Sequence, residues 1–193
     1  MNRKLIVAFK GSSNFNDFIA DINFAQVDFT HIENKYKKYQ IKLPGKVHRG
    51  GYRILFENNR YLHVLSKIKE ITDSQNIDSV LVTGHSLGGL TGTIFFAFLK
   101  ELYHQNDLQT KKINLKLVTF GCPRVGNRAF RDSISQADSL RIVNKGDPVT
   151  KVPFPIYYSH VPLKLKIGKK SADYSIKNHS ITEYFQNLLE AEL

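Results

Sequence analysis

The stretch from Asp78 to Tyr103 limits the possible folds of this chain more than any other. It opens with the β-branched run Val80–Thr83, which predicts a buried strand, and closes with a long apolar segment that predicts a helix. Between them lies the hexapeptide GHSLGG (84–89), which contains the pattern Gly-x-Ser-x-Gly. An ordinary glycine-rich turn is the alternative, but the flanking strand and helix favour a nucleophile elbow with Ser86 at its tip. Such a turn is sharp and requires glycine two residues before and two residues after the serine.

Other parts of the chain repeat the alternation of strand and helix. Apolar runs at Leu5–Phe9, 115–120 and 140–143 predict strands, and a 3.6-residue apolar period over 61–76 predicts a helix. Ser180 and Glu183 form a capping box before a last helix, whose apolar stripe contains Ile181, Tyr184, Phe185, Leu188 and Leu189. The 193 residues therefore predict one α/β domain over 1–193, with a mostly parallel sheet and flanking helices.

Three shorter segments give further structural predictions. Phe15, Phe18, Ile19 and Ile22 recur at the spacing of a short amphipathic helix. An edge strand closed by Pro44-Gly45 is indicated by Tyr36, Tyr39, Ile41 and Leu43. A β-hairpin turning at Gly168-Lys169 is predicted by the alternation of Val161, Leu163, Leu165 and Ile167 with polar residues.

Composition and charge narrow the function and the compartment. The formal net charge of +11 suits anionic membranes or nucleic acid, but the sequence has no nucleic-acid-binding motif, so a nucleic-acid partner is not expected. A single cysteine, Cys122, excludes an internal disulfide framework. The first apolar run is too short for a signal peptide, and no run has the length of a membrane span. We therefore predict a cytoplasmic protein with peripheral contact at membranes.

A serine nucleophile needs a base, and the base needs an orienting acid. In an α/β-hydrolase the order along the chain is Ser, acid, His, which leaves His160 and His179 as candidate bases. His179 is favoured because it lies in a loop directly before a helix cap, whereas His160 has the surroundings of a buried structural histidine. For the acid, Asp147 follows a predicted strand, where catalytic groups collect in parallel sheets. Asp132, Asp138 and Asp173 are the alternatives.

Attack on an ester carbonyl also requires hydrogen-bond donors for the developing oxyanion. The backbone N–H of Leu87, which follows the nucleophile, is one candidate. The loop after the first strand offers Ser12 as the second, through its backbone N–H, its hydroxyl or both. His85, inside the elbow, is interpreted as a packing neighbour of the nucleophile rather than a second base.

With these residues in place, the chain resembles the class 3 lipases, the fungal-type triacylglycerol lipases with an α/β-hydrolase fold. The motifs that carry the resemblance run in family order: FKGSSNFNDFIADINFA (9–25), VHRGGY (47–52), GHSLGG (84–89), TFGCPRVGN (119–127), RIVNKGDPVTKVP (141–153), YSH (158–160) and NHSITEYF (178–185). The resemblance implies the triad Ser86, Asp147 and His179, with Ser12 and Leu87 as oxyanion donors. It also implies a lid over residues 13–22, the segment of the predicted amphipathic helix with Phe15, Phe18, Ile19 and Ile22.

The implied activity is hydrolysis of carboxylic esters of lipids through an acyl-enzyme on Ser86, with no cofactor and no metal ion expected. A phospholipase A1 and a catalytically silent lipase-like binding protein are the alternatives. The expected partners are a lipid or other ester substrate and an anionic membrane or lipid-droplet surface. The sequence departs from the family pattern at Phe18, where a tryptophan is frequent, and at Lys10, where an arginine is usual. Its first motif also follows a short start, which predicts either an N-terminally minimal version of the fold or a chain that lacks part of the fold.

Overall fold

A computed structural model of the protein describes residues 3–12, 25–29, 41–104, 113–169 and 173–191. The strands, in chain order, are β1 (Arg3–Phe9), β2 (Gln26–Asp28), β3 (Lys46–His48), β4 (Ile77–His85), β5 (Asn114–Phe120), β6 (Ser139–Asn144) and β7 (Lys164–Ile167). The α-helices are α1 (Arg49–Phe56), α2 (Arg60–Ser74), α3 (Leu87–His104), α4 (Arg128–Asp132) and α5 (Ile181–Leu189). Short 3-10 turns occupy Glu57–Asn59, Gln136–Asp138, Val149–Lys151 and Ile176–His179.

A five-stranded sheet with the order β1-β4-β5-β6-β7 forms the centre of the fold. Each neighbouring pair in this sheet is parallel, while β2 and β3 form a separate antiparallel pair. The predicted α/β fold with a mostly parallel sheet is confirmed. Because the strands run the same way, the ends of β4, β5 and β6 lie together at one edge, with His85, Phe120 and Asn144 as their last residues.

The main core lies between one face of this sheet and α3. This helix packs on β1, β4 and β5 and on α1. An apolar helix without a polar face has to be enclosed, and Leu90, Phe95 and Phe98 of α3 are fully buried. The ring of Phe95 lies 5.2 Å from that of Phe9 on β1, which couples the helix to the sheet edge.

The second face of the sheet is covered by α5 at β6 and β7. Tyr184 is buried there with Ile142 and Ile167. The predicted apolar stripe of this helix is only partly buried, since Phe185 is 58% exposed and Leu189 is 66% exposed. The helix contacts the sheet through the row of side chains that contains Tyr184 and leaves the neighbouring apolar row exposed to solvent. Periodicity alone does not show which apolar row is buried.

Two of the shorter predicted elements differ from the structure. The hairpin is wrong as predicted: β7 pairs in parallel with β6, and residues 173–175 contain no strand. Alternation of polar and apolar residues reports a strand with one covered face, but it carries no information on the direction of the partner. Ile41 and Leu43 are buried in a loop rather than an edge strand. Tyr36, Tyr39 and the four predicted lid residues lie outside the described residues.

Candidate active site

Ser86 lies at the junction of β4 and α3, in the sharp turn that the pattern predicted. Its φ of +57° is in the left-handed region, which a serine rarely occupies and which marks a strained backbone. A Cβ at Gly84 would collide with the backbone of Gly88, and a Cβ at Gly88 would collide with the carbonyl of Phe9. The requirement for glycine on both sides of Ser86 is therefore confirmed.

Backbone hydrogen bonds fix the elbow to the neighbouring strand. The N–H of Ser86 donates to the carbonyl of Phe120, the last residue of β5, at 2.9 Å. The carbonyl of Ser86 accepts from Leu90 in the first turn of α3 at 3.1 Å. The residue is 3% exposed, and its Oγ has no hydrogen-bond partner among the residues that the structure describes. The hydroxyl is thus held in place by its backbone and not by a side-chain bond.

His179 and Asp147 form a buried pair. The Nδ1–H of His179 donates to Oδ2 of Asp147 at 2.9 Å, and the two residues are 4% and 1% exposed. The carboxylate also accepts from the hydroxyl of Tyr184 at 2.7 Å and from the backbone N–H of Val149 at 2.8 Å. A buried charge is tolerated only when it is hydrogen-bonded, and these three donors meet that need. With Nδ1 carrying the proton, Nε2 of His179 is the nitrogen that can accept one.

Tyr184 and Asn144 hold the His179–Asp147 pair in place through hydrogen bonds. The Tyr184 hydroxyl donates to Asp147 and accepts from the backbone N–H of Asn144 at 3.0 Å. Burial and the charge of Asp147 raise the pKa of Tyr184, so its hydroxyl remains a donor. Asn144 also donates from Nδ2 to the carbonyl of Asn178 at 3.0 Å, directly before the histidine. The apolar period of the sequence places Tyr184 only in a stripe of α5. A phenol in that stripe, five residues after a candidate base, was the available signal for its role.

Gly121 lies next to the His179–Asp147 pair and directly follows the residue that binds the elbow. It follows Phe120, whose carbonyl holds the elbow, and its φ is +57°. A Cβ at this position would lie 2.9 Å from Cε1 of His179 and 3.1 Å from Oδ2 of Asp147. The structure thus places the elbow and the His179–Asp147 pair around the end of β5. That Ser86, His179 and Asp147 act together stays a prediction.

His85 packs directly on His179. Its Nε2–H donates to the backbone carbonyl of His179 at 2.7 Å, and the two imidazole rings lie 4.5 Å apart. Burial is the main cause that lowers the pKa of His85, and the proximity of His179 lowers it further. An uncharged ring that binds the backbone of His179 positions that residue, which agrees with the interpretation of His85 as a packing neighbour.

The two predicted oxyanion donors come from the elbow, which contains Leu87, and from the loop after β1, which contains Ser12. Leu87 is the first residue of α3, where backbone N–H groups are unpaired by the helix and the helix dipole is positive. The loop after β1 passes close to the nucleophile, since a Cβ at Gly11 would lie 3.7 Å from Cβ of Ser86. Ser12 comes next in that loop and is exposed. The roles of Leu87 and Ser12 as oxyanion donors stay predictions.

The alternative candidates have other partners. Nε2–H of His160 donates to the carbonyl of Thr150 at 2.8 Å, and burial, aided by Arg141, lowers the pKa of His160 to about 3. Asp138 pairs with Lys100 at 2.7 Å, and Asp132 pairs with Arg131. Within the described ranges, no group of three or more His, Cys, Asp or Glu side chains could hold a metal ion. No helix in the same ranges is long and apolar enough to cross a membrane.

Similar proteins correct the predicted compartment. The chain is 27% identical over 160 residues to an Arabidopsis thaliana protein named phospholipase A(1) DAD1, chloroplastic, covering 78% of this chain and 34% of that protein. It is 33% identical over 166 residues to the secreted mono- and diacylglycerol lipase MDL3 of Malassezia globosa, covering 81% and 49%. The cytoplasmic prediction is wrong, because these relatives are secreted or chloroplastic. A single cysteine and the first residues of a chain do not determine a compartment.

The chain thus spans about half, or less, of the length of the curated relatives it matches. Its fold matches that of a solved structure, Rhizomucor miehei lipase in complex with its propeptide, with a TM-score of 0.66 and 28% identity. That match covers 87% of this chain and 50% of the other. The family model described as Lipase (class 3) matches residues 6–157, which include the elbow and Asp147. The chain therefore belongs to the class 3 lipase family.

Proposed function

We propose that this protein is a serine hydrolase that cleaves carboxylic esters of lipids through an acyl-enzyme on Ser86. The observation that carries the proposal is the buried hydrogen bond of 2.9 Å between His179 and Asp147, next to a strained nucleophile elbow. Relatives named as lipases and as a phospholipase A(1) supply the substrate class. Lipid esters are therefore the substrates to test first.

In the first half of the reaction, Oγ of Ser86 attacks the ester carbonyl carbon while Nε2 of His179 takes the hydroxyl proton. The carbonyl π electrons move to the oxygen, giving a tetrahedral oxyanion. The N–H groups of Leu87 and Ser12 are the proposed donors to this oxyanion. The intermediate collapses with cleavage of the C–O bond, and the imidazolium of His179 protonates the departing alcohol. Asp147 stabilises that imidazolium and keeps its proton on Nδ1.

In the second half, water attacks the acyl carbon on Ser86 while His179 again accepts a proton. The second oxyanion collapses, the fatty acid leaves, and the proton on His179 returns to Oγ of Ser86. The His85 bond to the carbonyl of His179 and the Tyr184 bond to Asp147 hold the base and acid in one orientation through both steps. These supports lower the cost of reorganising the site when charge develops.

A phospholipase A1 activity is the second candidate, favoured by the relative of that name and by the net charge of +11. A silent binding protein is disfavoured, because all three proposed triad residues are present with the geometry described above.

We also propose that residues 13–22 form a lid, whose apolar side chains Phe15, Phe18, Ile19 and Ile22 turn from the site onto a membrane or lipid-droplet surface. Phe18→Ser hydrolysis below and above substrate aggregation tests the lid.

Hydrolysis of a panel of substrates tests the function. The panel contains nitrophenyl esters of increasing chain length, a triglyceride emulsion and an anionic phospholipid, each with Ser86→Ala as the control. Cleavage of at least one lipid ester that is lost in Ser86→Ala supports the proposal. Equal turnover by both proteins, or none by either, overturns it. Preference for the phospholipid over the triglyceride would identify a phospholipase.

A further inference from the structure

A loop of four apolar residues, Phe154 to Tyr157, is displayed to solvent beside the candidate site. Phe154 is 72% exposed, Ile156 is 80% exposed and Tyr157 is 74% exposed, and Pro155 between them is exposed as well. Single exposed apolar residues are common on protein surfaces, but a contiguous group marks a contact site. We call these four residues the apolar loop.

The backbone of the apolar loop is fixed at both ends. At its start, Pro153 is buried and its carbonyl accepts from Nη1 of Arg124 at 2.7 Å. At its end, the buried Tyr158 donates its hydroxyl to the carbonyl of Ala25 at 3.3 Å. The carbonyl of Tyr157 accepts from Nε2 of Gln26 at 2.8 Å. The four side chains are therefore held outward by an anchored backbone, and their exposure is not that of a frayed segment.

Positive charges border the apolar loop. Arg124 binds Pro153, the residue directly before the loop, and the exposed Lys151 precedes the loop by three positions. Lys164 belongs to the same group, since burial and then the charges of Lys166, Arg141 and Lys151 lower the pKa of Lys164. Among the described residues, no carboxylate contributes to that shift. Arg124, Lys151 and Lys164 thus form a basic rim beside the apolar loop.

We propose that the apolar loop and its basic rim dock the protein on an anionic lipid surface. Aromatic and aliphatic side chains enter the boundary between headgroups and acyl chains, while lysine and arginine at the rim bind the phosphate groups. In a contact with a second copy of this chain, basic rims would face each other and repel, whereas an anionic surface is complementary to the rim. The inference rests on the proposed function, because it names the surface on which the lipid substrate is met.

The docking surface is connected to the proposed acid. Asp147 binds Val149 through its side chain, and its carbonyl accepts from Oγ1 of Thr150 at 3.0 Å. The apolar loop begins four residues after Thr150, and Lys151 lies between them. A membrane that receives this loop is therefore brought to the edge of the sheet that carries the candidate site, independently of any lid.

Vesicle sedimentation in a Ser86→Ala background tests this proposal, because the inactive protein leaves the lipid unchanged. Phosphatidylcholine vesicles with and without phosphatidylglycerol serve as probes across a salt series. Phe154→Ser should weaken binding to the anionic vesicles about tenfold, and Ile156→Ser should do the same, because each removes an inserted side chain. Lys151→Gln should weaken binding about fivefold, and added salt should weaken it further. Thermal unfolding of each variant verifies that it is folded.

Two matched controls test whether the effect is local. Phe185→Ser removes an exposed aromatic residue from α5, and Lys67→Gln removes one positive charge from α2; neither should change binding. Equal effects of the controls, equal binding to neutral vesicles, or no binding overturns the proposal. So does a concentration-dependent dimer that Phe154→Ser dissociates, since the loop would then be a self-interface. Because binding is measured without turnover, it is independent of whether the hydrolase function holds.

Discussion

At the scale of single residues, the side chains of the candidate site hold one another in position through hydrogen bonds. Asp147 fixes His179, Tyr184 fixes Asp147, and His85 fixes the backbone of His179. The pattern around Ser86 predicted the nucleophile because a sharp turn has strict steric requirements. Tyr184 was not assigned its role, because whether its hydroxyl reaches Asp147 depends on how α5 sits against β6. Sequence periodicity does not determine the position of α5 on the sheet.

The Tyr184 hydroxyl is expected to support both stability and turnover. Tyr184→Phe removes a hydrogen bond to a buried carboxylate, which should lower the free energy of unfolding by about 1.5–3 kcal/mol and reduce kcat about tenfold. Urea unfolding and ester kinetics measure the two effects. The matched control is Tyr174→Phe, since Tyr174 is 71% exposed. A Tyr184→Phe protein that matches this control in both measurements would remove the assigned role.

His85 is expected to act on the rate through the position of His179. His85→Phe keeps a ring against His179 but removes the N–H that binds the His179 carbonyl. We expect kcat to fall about tenfold while KM changes little, because an interaction that orients the base is needed in the transition state and not for substrate binding. A rise in KM alone would show instead that His85 shapes the substrate site.

At the scale of elements, the close packing of the elbow on β1 depends on Gly88. Gly88→Ala would place a methyl group on the Phe9 carbonyl, so the first turn of α3 must move. Overpacking of this kind costs about 1–3 kcal/mol, and activity should fall more than stability because Ser86 moves with the turn. Gly92→Ala on the same helix is the control, since its Cβ would lie 3.3 Å from a side-chain carbon of Phe9. Equal unfolding free energies and rates for the two variants would contradict this account.

The elements also show how far the sequence predicts the fold. Continuous apolar runs predicted β1, β4, β5 and β6, although a run of this kind is typical of a strand covered on both faces and β1 is an edge strand whose Ile6 is 58% exposed. The hairpin around Gly168 was wrong because β7 is an edge strand that pairs in parallel with β6, and alternation does not encode that direction. The exposed row of α5 was missed for a similar reason: a stripe specifies a face, and the size of the opposing surface decides how much is buried.

At the scale of the whole molecule, buried neutral histidines make stability depend on pH. Burial lowers the pKa of His160 to about 3, with a contribution from Arg141, and lowers that of His48 to about 4, from an ordinary 6.5. The unfolded chain therefore binds protons at pH values where the native protein stays neutral. The free energy of unfolding should have its full value above pH 6.5. As the pH drops toward 4, it should fall by about 1.4 kcal/mol per pH unit for each of these histidines.

Urea unfolding between pH 7 and pH 4 measures this dependence. His160→Gln should show a shallower fall than the wild type, while His63→Gln, at an exposed position on α2, should show the same fall as the wild type. An identical slope in the wild type and His160→Gln would contradict the assignment of His160 as a buried neutral histidine.

The organisation of residues 1–193 as one lipase-like domain stays a prediction. A single unfolding transition measured by two probes would support it.

If Ser86 is a nucleophile activated by His179 and Asp147, it should react with an alkyl fluorophosphonate, which labels activated serines. Mass spectrometry should then find one adduct, located on the peptide that contains Ser86 and absent from Ser86→Ala. His179→Ala should react more slowly by on the order of 10³-fold or more, because the hydroxyl then has no base. An adduct at another serine, no adduct, or wild-type labelling of His179→Ala would show that Ser86 is not activated by this pair.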